Sequence, residues 1–193
     1  MGSAQEDRAE AAKLPDGDVI GILFSQHAKI RDMFDAVEGS VGEDRRASFH
    51  ELCGMLVMHE TAEEMVVRPV SEDVASEEIA NARNAEEKDA TELLESLSDL
   101  DTDSRDFSVG LAQLKTAVSD HAEREEHEEF PPIIEACSEE QRHQMGERLR
   151  AAEKMAPTRP HPSGAGSTAK QWTVGPFAAL IDRVRDAVGG DRT

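Results

Sequence analysis

The pattern H-x-x-x-E-E-x-x-x-x-P occurs twice in this chain. It reads His59-Glu60-Thr61-Ala62-Glu63-Glu64 with Pro69 ten residues after the histidine, and His121-Ala122-Glu123-Arg124-Glu125-Glu126 with Pro131 at the same distance. On a helix, a histidine and a carboxylate four residues apart share one face, about a turn from each other. In so acidic a sequence that spacing arises by chance, and His143 with Glu147 shows it too. What constrains the fold is where the residues fall. His59 has Leu52, Met55, Leu56 and Val66 at −7, −4, −3 and +7, and His121 has Leu114, Ala117 and Val118 at −7, −4 and −3. His27 has Ile20, Leu23, Phe24, Ile30 and Phe34 at −7, −4, −3, +3 and +7. Three helices therefore each aim one histidine into the apolar core, whereas His143, flanked by Glu139, Glu140, Gly146 and Arg150, lies on a solvated face.

Periodicity and breakers predict an all-α chain built on an antiparallel four-helix bundle. Residues 1–16 read as a flexible N-terminal arm ending at Pro15-Asp16-Gly17. Helix A runs from about Asp18 to Glu38, helix B from Glu43 to Arg68, helix C from Glu72 to Leu100, and helix D from Asp106 to Phe130, closed by Pro131-Pro132. These fill a bundle over residues 17–135. An additional helix follows within 136–156, from Ser138 to Lys154. A Pro/Gly/Ser-rich linker occupies 157–175, and Pro176 to Val188 forms a short amphipathic helix within the last segment, 176–193. The stripe of that helix, Leu180, Ile181, Val184 and Val188, needs the bundle, a second copy of the chain or another protein to cover it.

Composition narrows the functions. The 193 residues carry 41 Asp+Glu against 21 Lys+Arg, a formal net charge of −20, so nucleic acid and anionic membrane surfaces are disfavoured as partners. Aromatic residues make up only 4% and Tyr is absent, which argues against a β-sandwich and excludes tyrosyl-radical chemistry within the chain. Two widely separated cysteines, with no leader-like stretch and no apolar run of membrane-spanning length, point to a reducing, cytoplasmic compartment.

Burying the carboxylates of Glu63 and Glu125 costs several kcal/mol each unless something positive answers them. No Lys or Arg is expected beside them on the inward stripe, although Arg31 and Arg124 lie near its edge, so a metal is the expected compensation. Imidazole and carboxylate donors without thiolate suit iron, manganese or zinc. Cys53 and His50 stand about 9 and 13 Å along the helix from His59, too far to share its site. Glu64, Glu126, His127, Glu128 and Glu129 read as solvated or supporting residues.

The order His27, His59-x-x-x-Glu63, His121-x-x-x-Glu125 on successive helices, with His-Glu-Thr-Ala-Glu-Glu at 59–64 and Glu-Glu-Phe-Pro at 128–131, resembles the hemerythrin-like HHE cation-binding domain over about Asp18 to Ile134. The tail resembles an extension found in actinobacterial members. The resemblance implies two non-haem iron ions in the bundle rather than zinc or manganese, with His27 and His59 on one, His121 on the other, and Glu63 and Glu125 bridging. Helix C departs from the family, whose members place one or two histidines there. Here it offers only carboxylates: helical phase favours Glu86, register against the family favours Glu87, and one of the two is expected as a ligand.

Carboxylate in place of imidazole favours ferric iron and moves the expected chemistry away from reversible oxygen carriage. The expectation is a centre that reacts with O2, hydrogen peroxide or nitric oxide, with peroxidase-, catalase- or oxidase-like turnover as an open question. The alternatives are an iron-storage or oxygen-sensing module without turnover, and a metal-free structural bundle.

Overall fold

Side-chain caps set where three of the long helices begin. The Asp18 carboxylate accepts from the Ile20 N–H at 3.0 Å, Ser76 Oγ from Ile79 N–H at 3.2 Å and Ser104 Oγ from Phe107 N–H at 3.1 Å, each satisfying a donor that the first turn leaves free. The computed structural model describes residues 2–155, so the predicted linker at 157–175 and the amphipathic helix at 176–193 lie outside the described residues. In chain order the elements are α1 (Ala4–Ala11), α2 (Val19–Gly39), α3 (Gly42–Val66), α4 (Arg68–Val74), α5 (Glu77–Ser98), α6 (Arg105–Arg124), a π turn (Glu125–Glu129), α7 (Phe130–Ala136) and α8 (Glu139–Met155). Among the described residues there is no strand, and no helix is long and apolar enough to cross a membrane.

Helices α2, α3, α5 and α6 form the antiparallel four-helix bundle. At one end the α2–α3 turn meets the α5–α6 turn: Gly42 N–H donates to Asp103 Oδ1 at 2.9 Å and Arg45 to the Thr102 carbonyl at 3.0 Å. The core divides in two. Near those turns Ile30, Phe34, Phe49, Leu52, Leu56, Leu94, Leu97, Phe107, Leu111 and Leu114 join all four helices, with Cys53 packed among them. At the opposite end Val19, Ile20, Leu23, Phe24, Ala62, Val67, Phe130 and Ile133 pack with Met145, Leu149 and Ala152 of α8. The histidines and glutamates of the repeat lie in the layer between these two clusters.

Several expectations need correction. Residues 1–16 do not read as an unstructured arm: α1 is closed by a capping box in which Glu6 N–H donates to Ser3 Oγ and Ser3 N–H donates to Glu6 Oε2, and buried Asp7 accepts from Arg31 Nε at 2.8 Å. Helix C does not start at Glu72. Ser76, followed by Glu77 and Glu78 in the first turn, starts a new helix after the short α4. Nor do Pro131-Pro132 stop the chain. The π turn, with Phe130 N–H donating to the Glu125 carbonyl, widens the helix so that both prolines enter the first turn of α7, where a missing N–H forfeits no bond.

The additional helix is bound tightly to the rest. Arg142 of α8 is buried, donates to Asp18 Oδ2 at 2.7 Å, and also reaches the carbonyls of Cys137 at 2.7 Å and Ile134 at 3.2 Å. One turn on, Gly146 lies against the Gly17 turn, whose φ is +84°; a Cβ at Gly146 would come within 2.1 Å of the Gly17 carbonyl oxygen. Because both partners are backbone, Gly146→Ala must push α8 outward. The expected cost is about 1–3 kcal/mol, read from urea melts, with no change in the residues of the central polar layer.

Candidate metal centre

Each of the three predicted histidines sits where its apolar stripe placed it, and all are buried, with His27 at 2%, His59 at 3% and His121 at 5% exposure. Their outer nitrogens are held. His59 Nδ1 lies 2.7 Å from Gln26 Oε1, His27 Nδ1 2.8 Å from Glu126 Oε1, and His121 Nδ1 3.1 Å from Glu86 Oε2. All three partners are acceptors, with Gln26 oriented by its own Nε2 donating to Glu153 Oε1 at 2.5 Å. Each Nδ1 therefore carries the proton, which leaves the three Nε2 atoms to face inward.

The inward nitrogens converge on Glu125. His27 Nε2 stands 3.4 Å from its Oε2 and His121 Nε2 3.0 Å from its Oε1, so one carboxylate presents an oxygen to each side. His59 Nε2 lies 3.4 Å from Glu63 Oε2. His27, His59 and Glu125 offer donor atoms all within 4.8 Å of one another, and so do Glu60, Glu87 and His121 on the other side; Glu63, Glu125 and Glu129 make a third such group. Both oxygens of Glu63, both of Glu125, Glu60 Oε2 and the Nε2 atoms of His27 and His121 are buried without a hydrogen-bond partner. Orphaned polar atoms in such number are rare in a folded core, and donors of this kind fit a divalent or trivalent cation.

Protons and a guanidinium carry the compensating charge here. Burial alone would lower His27, but the carboxylates of Glu125 and Glu126 on either side of its ring push it up to about 9. Against the same burial penalty, the charges of Glu125 and Glu60 hold His121 well above its ordinary value. Burial beside His27 drives His59 down to about 3. Burial would raise Glu125, but His121 and His27 hold it well below the carboxylate range. Burial lifts Glu60 to about 7, Glu63 well above its usual range, and Glu87 to about 9 against the pull of Arg68. A cation entering this cage must displace protons from imidazoles and carboxyls, so its binding weakens as pH falls.

On helix C, now α5, the structure brings Glu87 into the inward group. Glu86 instead sits on the outer nitrogen of His121 and pairs with Arg124 at 2.6 Å and Arg83 at 3.2 Å. The expectation that no arginine stands beside the carboxylates is wrong: Arg68 is buried, donates to Glu129 at 2.8 and 3.0 Å and to Glu87, and lies 3.5 Å from Glu125 Oε1. Glu129, read as solvated or supporting, is fully buried beneath that guanidinium, and Glu126 is half-buried against His27 and Arg31. Glu60 was not singled out, since it stands about 100° around the helix from His59. The signal for Glu129 was available: with His121 and Glu125 it completes an i, i+4, i+8 row.

Comparison with known proteins agrees with this geometry. The family model for the hemerythrin HHE cation binding domain matches residues 18–133. An uncharacterized hemerythrin-like protein of Schizosaccharomyces pombe is 26% identical over 168 residues, covering 85% of this chain and 83% of that protein. No solved structure matches the chain.

Proposed function

The chain belongs to the hemerythrin HHE cation-binding family, and from that premise we propose that it is a non-haem di-iron protein whose buried centre reacts with O2, hydrogen peroxide or nitric oxide in oxidative or nitrosative stress. The observation that carries this reading is the set of inward, unpartnered donors: the Nε2 atoms of His27 and His121 and both carboxylate oxygens of Glu63 and Glu125. His27, His59 and Glu125 would hold one ion and Glu60, Glu87 and His121 the other, with Glu125 shared and Glu63 beside it. When bound, iron supplies a redox-active Lewis acid for a small oxygen or nitrogen ligand.

The chain's own residues prepare that chemistry. Gln26, Glu126 and Glu86 fix the tautomer and ring orientation of the three histidines. The apolar clusters above and below the layer keep bulk water from it. Carboxylates outnumber imidazoles in the cage, which favours ferric over ferrous iron and turnover over reversible oxygen carriage. Both cysteines are free thiols, in keeping with a cytoplasmic setting.

The test is metal analysis of purified protein with its visible spectrum, followed by anaerobic ferrous reconstitution and addition of O2, hydrogen peroxide or nitric oxide. Iron content with ferric absorption, and repeated consumption of one of these ligands, are expected. Zinc alone would overturn the reading. Oxygen that is bound and then released unchanged under vacuum would make the protein a carrier, and a single stoichiometric reaction would make it a store or sensor.

A further inference from the structure

Arg68 occupies a special place in the repeat. It stands nine residues after His59 and just before Pro69, and its counterpart nine residues after His121 and just before Pro131 is Phe130. The two equivalents close the polar layer differently. Phe130 stacks on His27, with ring centroids 5.8 Å apart and planes 16° from parallel. Arg68 instead extends its guanidinium across the carboxylates, one nitrogen on Glu129 and the other between Glu87 and Glu125.

Glu87 and Glu125 are also the oxygens that a cation held with Glu60 and His121 must use. The first position, made by His27, His59 and Glu125, has no contact with Arg68 except through Glu125. We infer that Arg68 is an internal cation competing with the metal for Glu87 and Glu125, so that the two metal positions fill unequally: the His27–His59–Glu125 position first, and the Glu60–Glu87–His121 position only when Arg68 gives up Glu87. The guanidinium repels a cation at either position, most strongly the one beside Glu87, and it withholds a ligand, Glu87, from that position alone. Arg68 is thus a residue that sets metal stoichiometry, acting through the ligands it holds. The inference rests on the metal reading of the site.

The experiment is an anaerobic titration of metal-free protein with Co(II), followed by visible absorption and metal analysis, on the wild-type chain and on Arg68→Met, which keeps the long apolar stem and removes the charge. Two binding steps are expected in the wild type. In Arg68→Met the second step tightens by about tenfold or more, while the first moves less. An unchanged or weakened second step in that variant would overturn the inference and leave the metal reading standing. A wild-type chain that binds no Co(II) would remove both. Should Arg68→Met not fold, the wild type answers by NMR with Zn(II). The Arg68 Nε–H resonance, assigned by its loss in Arg68→Lys, should hold through the first equivalent and move with the second. A resonance unmoved with both positions filled would equally sink the inference.

Discussion

A His59→Ala, His121→Ala double variant should keep its helices and lose its metal, from about two ions per chain to almost none. His59 and His121 belong to different donor groups, so each position is left with only two of its three grouped donors. The fold tolerates the change because each side chain gives up one hydrogen bond between helices, to Gln26 or to Glu86, and no apolar packing. Each meets polar partners inside the layer, and the two apolar clusters on either side stay intact. Gln26→Ala and Glu86→Gln are the informative controls. Of each histidine they touch only the outer nitrogen, and they should weaken metal binding by about 10–100-fold without abolishing it. Metal analysis with far-UV circular dichroism reads all four proteins, and full metal content in the double variant would refute the assignment of both positions.

The largest stability loss is expected at Asp18, well away from the histidines. Its carboxylate caps α2 through Ile20 N–H and accepts from buried Arg142 of α8, and it is itself 2% exposed. Asp18→Ala removes the cap and leaves a guanidinium in the core with only the carbonyls of Ile134 and Cys137. An uncompensated buried charge costs about 3–5 kcal/mol, a large part of the stability of an ordinary domain. The melting temperature should fall by roughly 10 °C or more. Asp18→Asn retains the cap and should lose less. Combining it with Arg142→Met should cost less than the sum of the two single changes, because neither charge is then left alone. A loss below about 1 kcal/mol in Asp18→Ala would mean that the pair contributes nothing.

The parts of the chain that were legible in advance were those governed by helical phase. His27, His59, Glu63 and His121 are buried because each lies in step with apolar neighbours on an unbroken helix, and Glu125, the first residue of the π turn, keeps the phase of His121 one turn before it. Arg68 escaped the same reasoning. Nine residues after His59, continuous helical phase would turn it about half a turn away from the histidine, but the break at Val67 resets the phase and returns it to the interior. On α5 the inner face is Ala80, Arg83, Glu87, Thr91, Leu94 and Leu97. Reading only apolar residues rotated that face toward Ile79 and Ala82, because half of its true members are polar, and so favoured Glu86. The capping box at Ser3 and Glu6 was present in the sequence, but the surrounding charge outweighed it in the reading of the first residues as an arm.

Two relays reach the histidines from outside residues 18–133, the stretch that the family model matches. Asp7 of α1 holds Arg31, which lies 3.7 Å from Glu126, the partner of His27; Glu153 of α8 holds Gln26, the partner of His59. Met145, Leu149 and Ala152 of α8 complete the apolar cluster on that side of the layer. The segment that the family model matches, residues 18–133, is therefore shorter than the segment that orients the three imidazoles. A chain cut to residues 18–133 would keep every inward donor and lose two of the side chains, Asp7 and Glu153, that hold the imidazoles in place through Arg31 and Gln26.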